Sequence, residues 1–247
     1  MSSQMKAEFD TVAAWTADVA LDLGPDHHLP AGCRGSGSPG ALRWLLDRLA
    51  VRPGDRMLDA GAGVGGPAAF AAAETGVRPV LTEPEAGACR AARRLFDLPV
   101  VQAGSPLPFA ANTFDVVWCL GVLCTVPDQA QLMSELGRVL APSGRLGMLV
   151  FVADRPLPEH PVGNDFPTAA RLAALVTGAG LQARDSGSAA DFAAAPPHWA
   201  DRAAAVDAEL ERRHGDDPAW RVAERQSGII GRLLQTGALS GTLIVAG

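Results

Sequence analysis

Apolar residues along the chain switch between helical spacing and short continuous runs, a pattern typical of alternating helices and buried strands. Helical spacing predicts helices over residues 4–23, 68–74, 85–96 and 167–179, with further helices after Ser38-Pro39 and after Asp128. Apolar runs predict strands over residues 56–59, 78–81, 99–103, 181–184 and 242–246, with two more running to Cys119 and through Phe151. Residues 24–40 are dense in Gly, Pro and Ser and predict a loop. The alternation predicts an α/β fold.

A glycine-rich turn joins the first predicted strand to its helix, in the segment MLDAGAGVGG (57–66). Gly61, Gly63 and Gly66 satisfy the G-x-G-x-x-G spacing of dinucleotide-binding folds, and Glu83 lies about 20 residues further on, as that fingerprint requires. On this turn alone, a nicotinamide or flavin enzyme is a reasonable interpretation. Asp59, however, lies two residues before Gly61, where its carboxylate would repel a pyrophosphate and attract an amine-bearing cation.

The string around Asp59 resembles the glycine motif of class I S-adenosylmethionine (SAM) methyltransferases. Three later segments resemble the same family: Leu-Pro-Phe at 107–109, Phe-Asp-Val-Val at 114–117, and RVLAPSGRL at 138–146. The resemblance covers roughly residues 41–184 and the last strand. No Asn-Pro-Pro-Tyr or Asp-Pro-Pro-Tyr string follows the fourth strand, which removes the usual nucleic-acid amino methyltransferases.

The fold implied by this resemblance is a single α/β domain over residues 1–247. It has a Rossmann-like, seven-stranded, mostly parallel sheet with helices on both faces and a helical cap. The implied parts are an N-terminal helix and lid loop (1–40), a cofactor-binding core (41–185), a helical cap insertion (186–240) and a last strand (241–247).

The resemblance also implies a SAM site. The implied cofactor-binding residues are Arg34, Asp59, Ala60, Gly61, Ala62, Gly63, Gly65, Glu83, Pro84, Gly104, Ser105 and Leu120. Asp59 and the glycine loop would hold the methionine part, and Arg34 its carboxylate. Glu83 would accept hydrogen bonds from the ribose hydroxyls, Gly104-Ser105 would meet the adenine edge, and Leu120 would pack near the reactive end.

His27 and His28, in the lid loop, are the candidate catalytic bases, and the sequence prefers neither. Two positions depart from the family pattern. Ala103 stands where the family usually has an aspartate that accepts from the adenine amino group, and Thr125 stands where family members often have a histidine.

Two further helices are predicted between the last two strands. One carries the apolar stripe Trp199, Ala203, Val206 and Leu210, and the other begins at Asp217-Pro218. Helices inserted here often roof the acceptor pocket in small-molecule methyltransferases. Candidates for lining such a pocket are Phe166, Phe192, His198 and Trp199.

The composition narrows the function further. A net charge of −6 with no Lys/Arg cluster argues against general nucleic-acid binding. No apolar run is long enough to span a membrane, and the N-terminus lacks a signal-peptide pattern, so we expect no membrane partner. Four cysteines without C-x-x-C spacing favour a reduced, cytoplasmic protein, and we expect no metal.

The expected function is transfer of the SAM methyl group to a small organic acceptor, with a secondary metabolite as one option and a homodimer as one assembly. The alternative is a protein of this fold that binds SAM but catalyses another reaction, such as a cyclisation, or has a regulatory role.

Overall fold

The computed structural model describes residues 7–247 and contains one seven-stranded sheet. Its strands are β1 (Arg56–Ala60), β2 (Arg78–Glu83), β3 (Val100–Gln102), β4 (Phe114–Leu120), β5 (Leu140–Val152), β6 (Ala183–Ser188) and β7 (Ser240–Ala246). Their spatial order is β3-β2-β1-β4-β5-β7-β6. The pairs from β3 across to β5 are all parallel, whereas β7 is antiparallel to both of its neighbours. The predicted α/β class and the mostly parallel sheet are confirmed.

Helices precede, connect and follow these strands. They are α1 (Ala13–Leu23), α2 (His28–Gly32), α3 (Pro39–Leu49), α4 (Gly66–Thr75), α5 (Ala86–Phe96), α6 (Gln129–Val139), α7 (Ala169–Gly178), α8 (Trp199–His214) and α9 (Pro218–Gln235). A π-helical stretch, Ala7–Val12, leads into α1, and 3-10 turns lie at Pro25–His27, Leu123–Thr125 and Ala189–Phe192.

Side-chain caps set several of these helix starts where the sequence places them. The Ser38 hydroxyl accepts from the backbone N–H of Ala41, and Asp128 Oδ1 accepts from that of Gln131, at 3.2 and 2.9 Å. Each bond satisfies a donor that the first helical turn leaves free. Local chemistry therefore sets the starts of α3 and α6.

The two faces of the sheet are covered by different helices. On one face Leu58, Val117 and Met148 pack with apolar residues of α6 and α7. On the other face Met57 and Trp118 pack with the leucine stripe of α3 and with α4. Neighbouring residues of one strand thus pack on opposite faces of the sheet, because successive side chains of a pleated strand point to opposite sides.

The lid loop contains more helix than the sequence predicts. Residues 25–32 form a 3-10 turn and then α2, and the backbone N–H of Cys33 donates to the carbonyl of Leu29. Pro30 and Ala31 of α2 are buried, so tertiary packing supports a short helix in a segment whose composition favours a loop. The predicted first helix also included residues 4–6, which lie outside the described residues.

The cap helices α8 and α9 lie between β6 and β7 in the chain, and α9 covers the edge at which β4 and β5 end. The end of α9 contributes Leu233 to an apolar cluster with Cys124 and Ala153, which follow β4 and β5. Its start contributes Trp220 to a cluster with α1 and α5. Strand β6 extends to Ser188, beyond the predicted end at residue 184. Across residues 7–247, no helix is both long and apolar enough to cross a bilayer.

A contact between two glycines joins the lid loop to the start of α4. A Cβ on Gly66 would lie 2.1 Å from the carbonyl carbon of Gly32, and a Cβ on Gly32 would lie 2.8 Å from Gly66 Cα. Neither residue can carry a side chain unless the two backbones separate.

We expect Gly66→Ala to lower the free energy of unfolding by about 1–3 kcal/mol, because the added methyl group overpacks this contact. Urea denaturation measures the effect. Gly231→Ala is the matched control: it lies in α9 with no heavy atom within 4 Å of the added Cβ, and we expect it to be neutral or stabilising by about 0.5–1 kcal/mol. Equal effects of the two substitutions would contradict this account of the contact.

Candidate functional site

The turn that follows β1 is held by the end of β2. The backbone N–H groups of Gly61 and Ala62 both donate to the carbonyl of Thr82, at 2.8 and 3.0 Å. Gly61, Gly63 and Gly65 all adopt positive φ, at 76°, 54° and 84°. L side chains rarely adopt this conformation, so the glycines of the motif are required by the path of the backbone.

Glu83 ties this turn to the next helix. One carboxylate oxygen accepts from the backbone N–H of Gly63 at 2.9 Å, and the other accepts from that of Glu85 at 3.0 Å. The side chain is 5% exposed, and its burial raises the pKa of the carboxyl, while these two hydrogen bonds oppose the rise. Each oxygen retains a lone pair, so the carboxylate can still accept from a ligand hydroxyl.

Asp59 is a second buried acid beside the same turn. Its Oδ2 atom has no hydrogen-bond partner within the described part of the chain. Burial, and then the negative charge of Glu83, raise its pKa from 3.8 to about 7. An unpartnered carboxylate oxygen in such surroundings is costly unless a cation or a donor reaches it. The site therefore favours a cationic ligand.

The lid loop contacts the start of α4 through Gly32 and Gly66, and Arg34 follows this contact by two residues. Arg34 itself forms an ion pair with Asp207 of α8 at 2.6 Å, and its Nη1 donates to the Thr16 hydroxyl at 3.4 Å. The carbonyl of Gly35 faces Gly121, where a Cβ would lie 3.2 Å from it. The role of Arg34 at a ligand carboxylate stays a prediction, and binding there would require it to leave Asp207.

His27 and His28 are half-buried at the junction of the 3-10 turn and α2. The Nδ1 atom of His27 and the Nε2 atom of His28 are shielded from solvent and have no hydrogen-bond partner among residues 7–247. One nitrogen of each ring is therefore buried without a partner in the described part of the chain. Neither the geometry nor the sequence favours one of the two histidines as the catalytic base.

Val122 is a site residue that the sequence reasoning missed. A Cβ on Gly61 would lie 2.6 Å from Val122 Cγ2, so the isopropyl group covers the first glycine of the motif. Leu120, the predicted neighbour of the reactive end, is buried with Trp118 in the cluster under α3. Gly61 and Val122 are far apart in the sequence and form no recognisable motif. Only the fold reveals that they are in contact.

The predicted adenine side lies at the end of β3. The backbone N–H of Ala103 donates to the carbonyl of Glu83 at 3.1 Å, and the side-chain amide of Gln102 donates to that of Pro84 at the same distance. Gly104 lies beside Pro84, since a Cβ on this glycine would be 3.7 Å from Pro84 Cβ. The structure thus brings Glu83, Pro84 and Gly104 together, with Ser105 adjoining in sequence.

The four candidates for an acceptor pocket do not form one pocket. Phe166 packs with Cys124 beside the end of β4. Phe192 and Trp199 pack instead on the apolar cluster under α3, where the Phe192 ring lies 5.4 Å from that of Trp44. His198 is exposed, with Asp201 3.5 Å away. The expectation was wrong for Phe192, Trp199 and His198, because α3 provides a nearer apolar surface for the two rings.

Comparison with known proteins finds similarity to methyltransferases. Residues 58–148 match the model of a family described as a methyltransferase domain. Methyltransferase GfsG of Streptomyces halstedii is 35% identical over 115 residues, which are 42% of this chain and 40% of that protein. This segment of the chain is therefore similar to a methyltransferase domain. The match spans the glycine turn and both buried acids, whereas His27, His28 and Arg34 lie before it.

Two more proteins extend the comparison. The 27-O-demethylrifamycin SV methyltransferase of Amycolatopsis mediterranei is 37% identical over 116 residues, 42% of this chain and 43% of that protein. The chain thus matches about two fifths of the length of each of these two relatives. A crystal structure of the 4+2 cyclase SpnF has a TM-score of 0.66 at 21% identity, covering 86% of this chain and 83% of the cyclase. The last similarity concerns the fold alone.

We expect Asp59→Asn to stabilise the ligand-free protein at pH 8. In the folded state the pKa of Asp59 is about 7 and its ordinary value is 3.8, so the folded state holds its proton more tightly. The free energy of unfolding therefore falls as pH rises between these values, and the loss is complete above pH 7. Urea denaturation should show the variant more stable at pH 8 by up to about 4 kcal/mol.

The advantage should shrink towards pH 4, where the wild-type side chain is neutral. Asp191→Asn changes an exposed acid and should alter stability by less than about 0.5 kcal/mol at either pH. If Asp59→Asn lowers the free energy of unfolding equally at both pH values, burial of the ionised Asp59 side chain does not destabilise the folded protein.

Proposed function

We propose that this protein transfers the methyl group of SAM to a small organic acceptor. The supporting observation is the unpartnered, buried carboxylate of Asp59 beside a turn of three left-handed glycines, with Glu83 next to it. Asp10 and Glu85 add to the negative charge around Glu83. A negative site attracts a ligand that carries an ammonium and a sulfonium, and it repels a pyrophosphate.

The described residues fit SAM in chemistry. Asp59 would bind the ammonium, since its free oxygen needs a cationic or donating partner. Glu83 would accept from the ribose hydroxyls with its remaining lone pairs. A Cβ on Gly63 would meet no atom within 4 Å, so this position leaves room for a ligand. Gly104 and Ser105 would meet the adenine, and Arg34 the carboxylate after leaving Asp207.

When bound, SAM supplies a methyl group on a positively charged sulfur. The protein's own contribution is then position, exclusion of water and, for an acceptor that must lose a proton, a base. His27 Nδ1 and His28 Nε2 are the shielded nitrogens that would take this proton. The lid loop and α9 would exclude water from the edge where the strands end.

The acceptor we propose is small and organic, and a secondary metabolite is one option. One relative, the 27-O-demethylrifamycin SV methyltransferase, acts on a small molecule by its name. All four cysteines are buried and none stands in a C-x-x-C pair, which supports a reducing compartment such as the cytoplasm. A homodimer remains one option for the assembly.

A protein that binds SAM and catalyses a cyclisation, or that regulates, is the second candidate. It is favoured by Thr125, whose hydroxyl donates to the carbonyl of Val122 at 2.8 Å and is not free to serve as a base. Release of S-adenosylhomocysteine (SAH) during turnover with candidate acceptors separates the two functions, because only methyl transfer consumes SAM. Absence of SAH release in the presence of a converted acceptor would contradict methyl transfer.

SAM affinity should rise with pH through about 7. A cation beside Asp59 favours its ionised form, so binding releases a proton wherever the free protein still holds one. Below pH 7 the affinity should therefore fall by up to about tenfold per pH unit. Calorimetry in two buffers of different ionisation enthalpy measures the released proton. Asp59→Asn should bind more weakly and lose this pH dependence, and a pH-independent affinity in the wild type would contradict the role of Asp59.

Glu83→Ala should weaken SAM binding by about 1.5–3 kcal/mol, the range for hydrogen bonds to a charged group. Glu83→Gln keeps the size and one acceptor oxygen, and we expect a smaller loss. The control is Glu74→Ala, because Glu74 pairs with Arg43 on the surface, and its removal should leave the affinity unchanged. Calorimetric titration with SAM and with SAH measures these affinities. An unaltered affinity in Glu83→Ala would show that Glu83 does not bind the ribose.

A further inference from the structure

Three ion pairs join cap helix α8 to the N-terminal segment, which we define here as residues 13–40. Asp22 pairs with Arg213, Asp26 with Arg202, and Arg34 with Asp207, each at 2.6 Å. The partners are far apart in sequence, so these contacts exist only in the folded chain. We call these three pairs the ionic clasp.

The clasp flanks a narrow apolar seam. The main contacts of α8 are with α1, α2 and the 3-10 turn between them. Val206 and Leu210 are its two fully buried side chains, and they pack in one cluster with Ala17 and Ala31. The ring of Trp15 also stacks on that of His214, with 3.9 Å between centroids. Two buried aliphatic side chains are few for a helix of 16 residues, so the charged pairs make up much of this contact.

The same N-terminal segment lies over the candidate cofactor site. Gly32 contacts Gly66 at the start of α4, and the Gly35 carbonyl faces Gly121 at the end of β4. Arg34 stands between these two contacts and belongs to the clasp. A ligand that enters or leaves on this side must therefore displace a segment that α8 holds in place.

We propose that the ionic clasp controls how fast ligands exchange with the site beneath the N-terminal segment. The proposal rests on the proposed function, since it regulates access to the SAM site. The clasp suits this task because its acid side chains are 61%, 73% and 52% exposed, at Asp22, Asp26 and Asp207. Exposed pairs contribute little each and weaken with salt, so they can break and re-form without unfolding the domain.

The first test uses hydrogen exchange in the ligand-free, full-length protein. The triple variant Asp22→Asn, Asp26→Asn, Asp207→Asn removes three charges and keeps the side-chain shapes. We expect backbone amides of α8 to exchange about 5–30-fold faster than in the wild type at low salt. In about 1 M salt the wild type should approach the variant, since the Debye length there is only about 3 Å.

The matched control is Asp18→Asn. Asp18 lies on the same segment and pairs with Arg94 of α5, also at 2.6 Å, so the control removes an equal contact that does not reach α8. It should change exchange in α8 by less than about twofold. The charge-swapped pair Asp26→Arg with Arg202→Asp should exchange more slowly than either single reversal. If the triple variant matches the control, the clasp does not hold α8.

The second test measures release of SAH by stopped-flow fluorescence. We expect the double variant Asp22→Asn, Asp26→Asn, which leaves the pair of Arg34 with Asp207 unchanged, to release SAH about 3–10-fold faster at low salt, with the difference lost at high salt. If amide exchange in α8 is faster but the rate of SAH release is unchanged, the ionic clasp does not control ligand exchange. Failure of SAM and SAH to bind either protein would instead refute the proposed function, while the exchange experiment would still decide whether the clasp holds α8.

Discussion

The hydrogen bonds between the end of β2 and the turn after β1 are the constraint on which the rest of the site depends. Two N–H groups of the turn donate to Thr82, and a third donates to Glu83. Strands β1 and β2 pair in parallel register up to Ala60 and Thr82. This pairing fixes the point along the sheet at which the turn begins. Helix α4 begins directly after that turn, the lid loop contacts the start of α4, and Val122 covers the first glycine of the turn.

This arrangement places two carboxylates where an apolar core would be more stable. Asp59 is 2% exposed and Glu83 is 5% exposed. Glu83 is compensated by two backbone donors, whereas Asp59 keeps an oxygen that no group of residues 7–247 contacts by a hydrogen bond. A fold selected for stability alone would have replaced Asp59 by a neutral residue. A positively charged ligand would supply the missing interaction, so the cost of burying Asp59 and the affinity for the ligand would have one cause.

The sequence predicts the parts of this protein that local chemistry decides. Ser38 and Asp128 begin helices because their side chains cap backbone donors a few residues away, and Gly61, Gly63 and Gly65 mark a turn because only glycine readily adopts its backbone conformation. Parts decided by distant residues escape prediction. The helical path of residues 25–32, the ion pair of Arg34 with Asp207 and the cover of Gly61 by Val122 each depend on a surface supplied by another part of the chain.

The two cap helices are held by different forces, and this difference bears on how the site opens. Helix α9 buries Trp220, Ala223, Gln226 and Leu233, and its end packs against the segments that follow β4 and β5. Moving it would expose apolar surface in proportion to the area uncovered. Helix α8 buries Val206 and Leu210 and is otherwise joined to the N-terminal segment largely through exposed charges, which water solvates well once the pairs part. The side beneath α8 is therefore the side that opens at the lower free-energy cost, and the lid loop lies on that side.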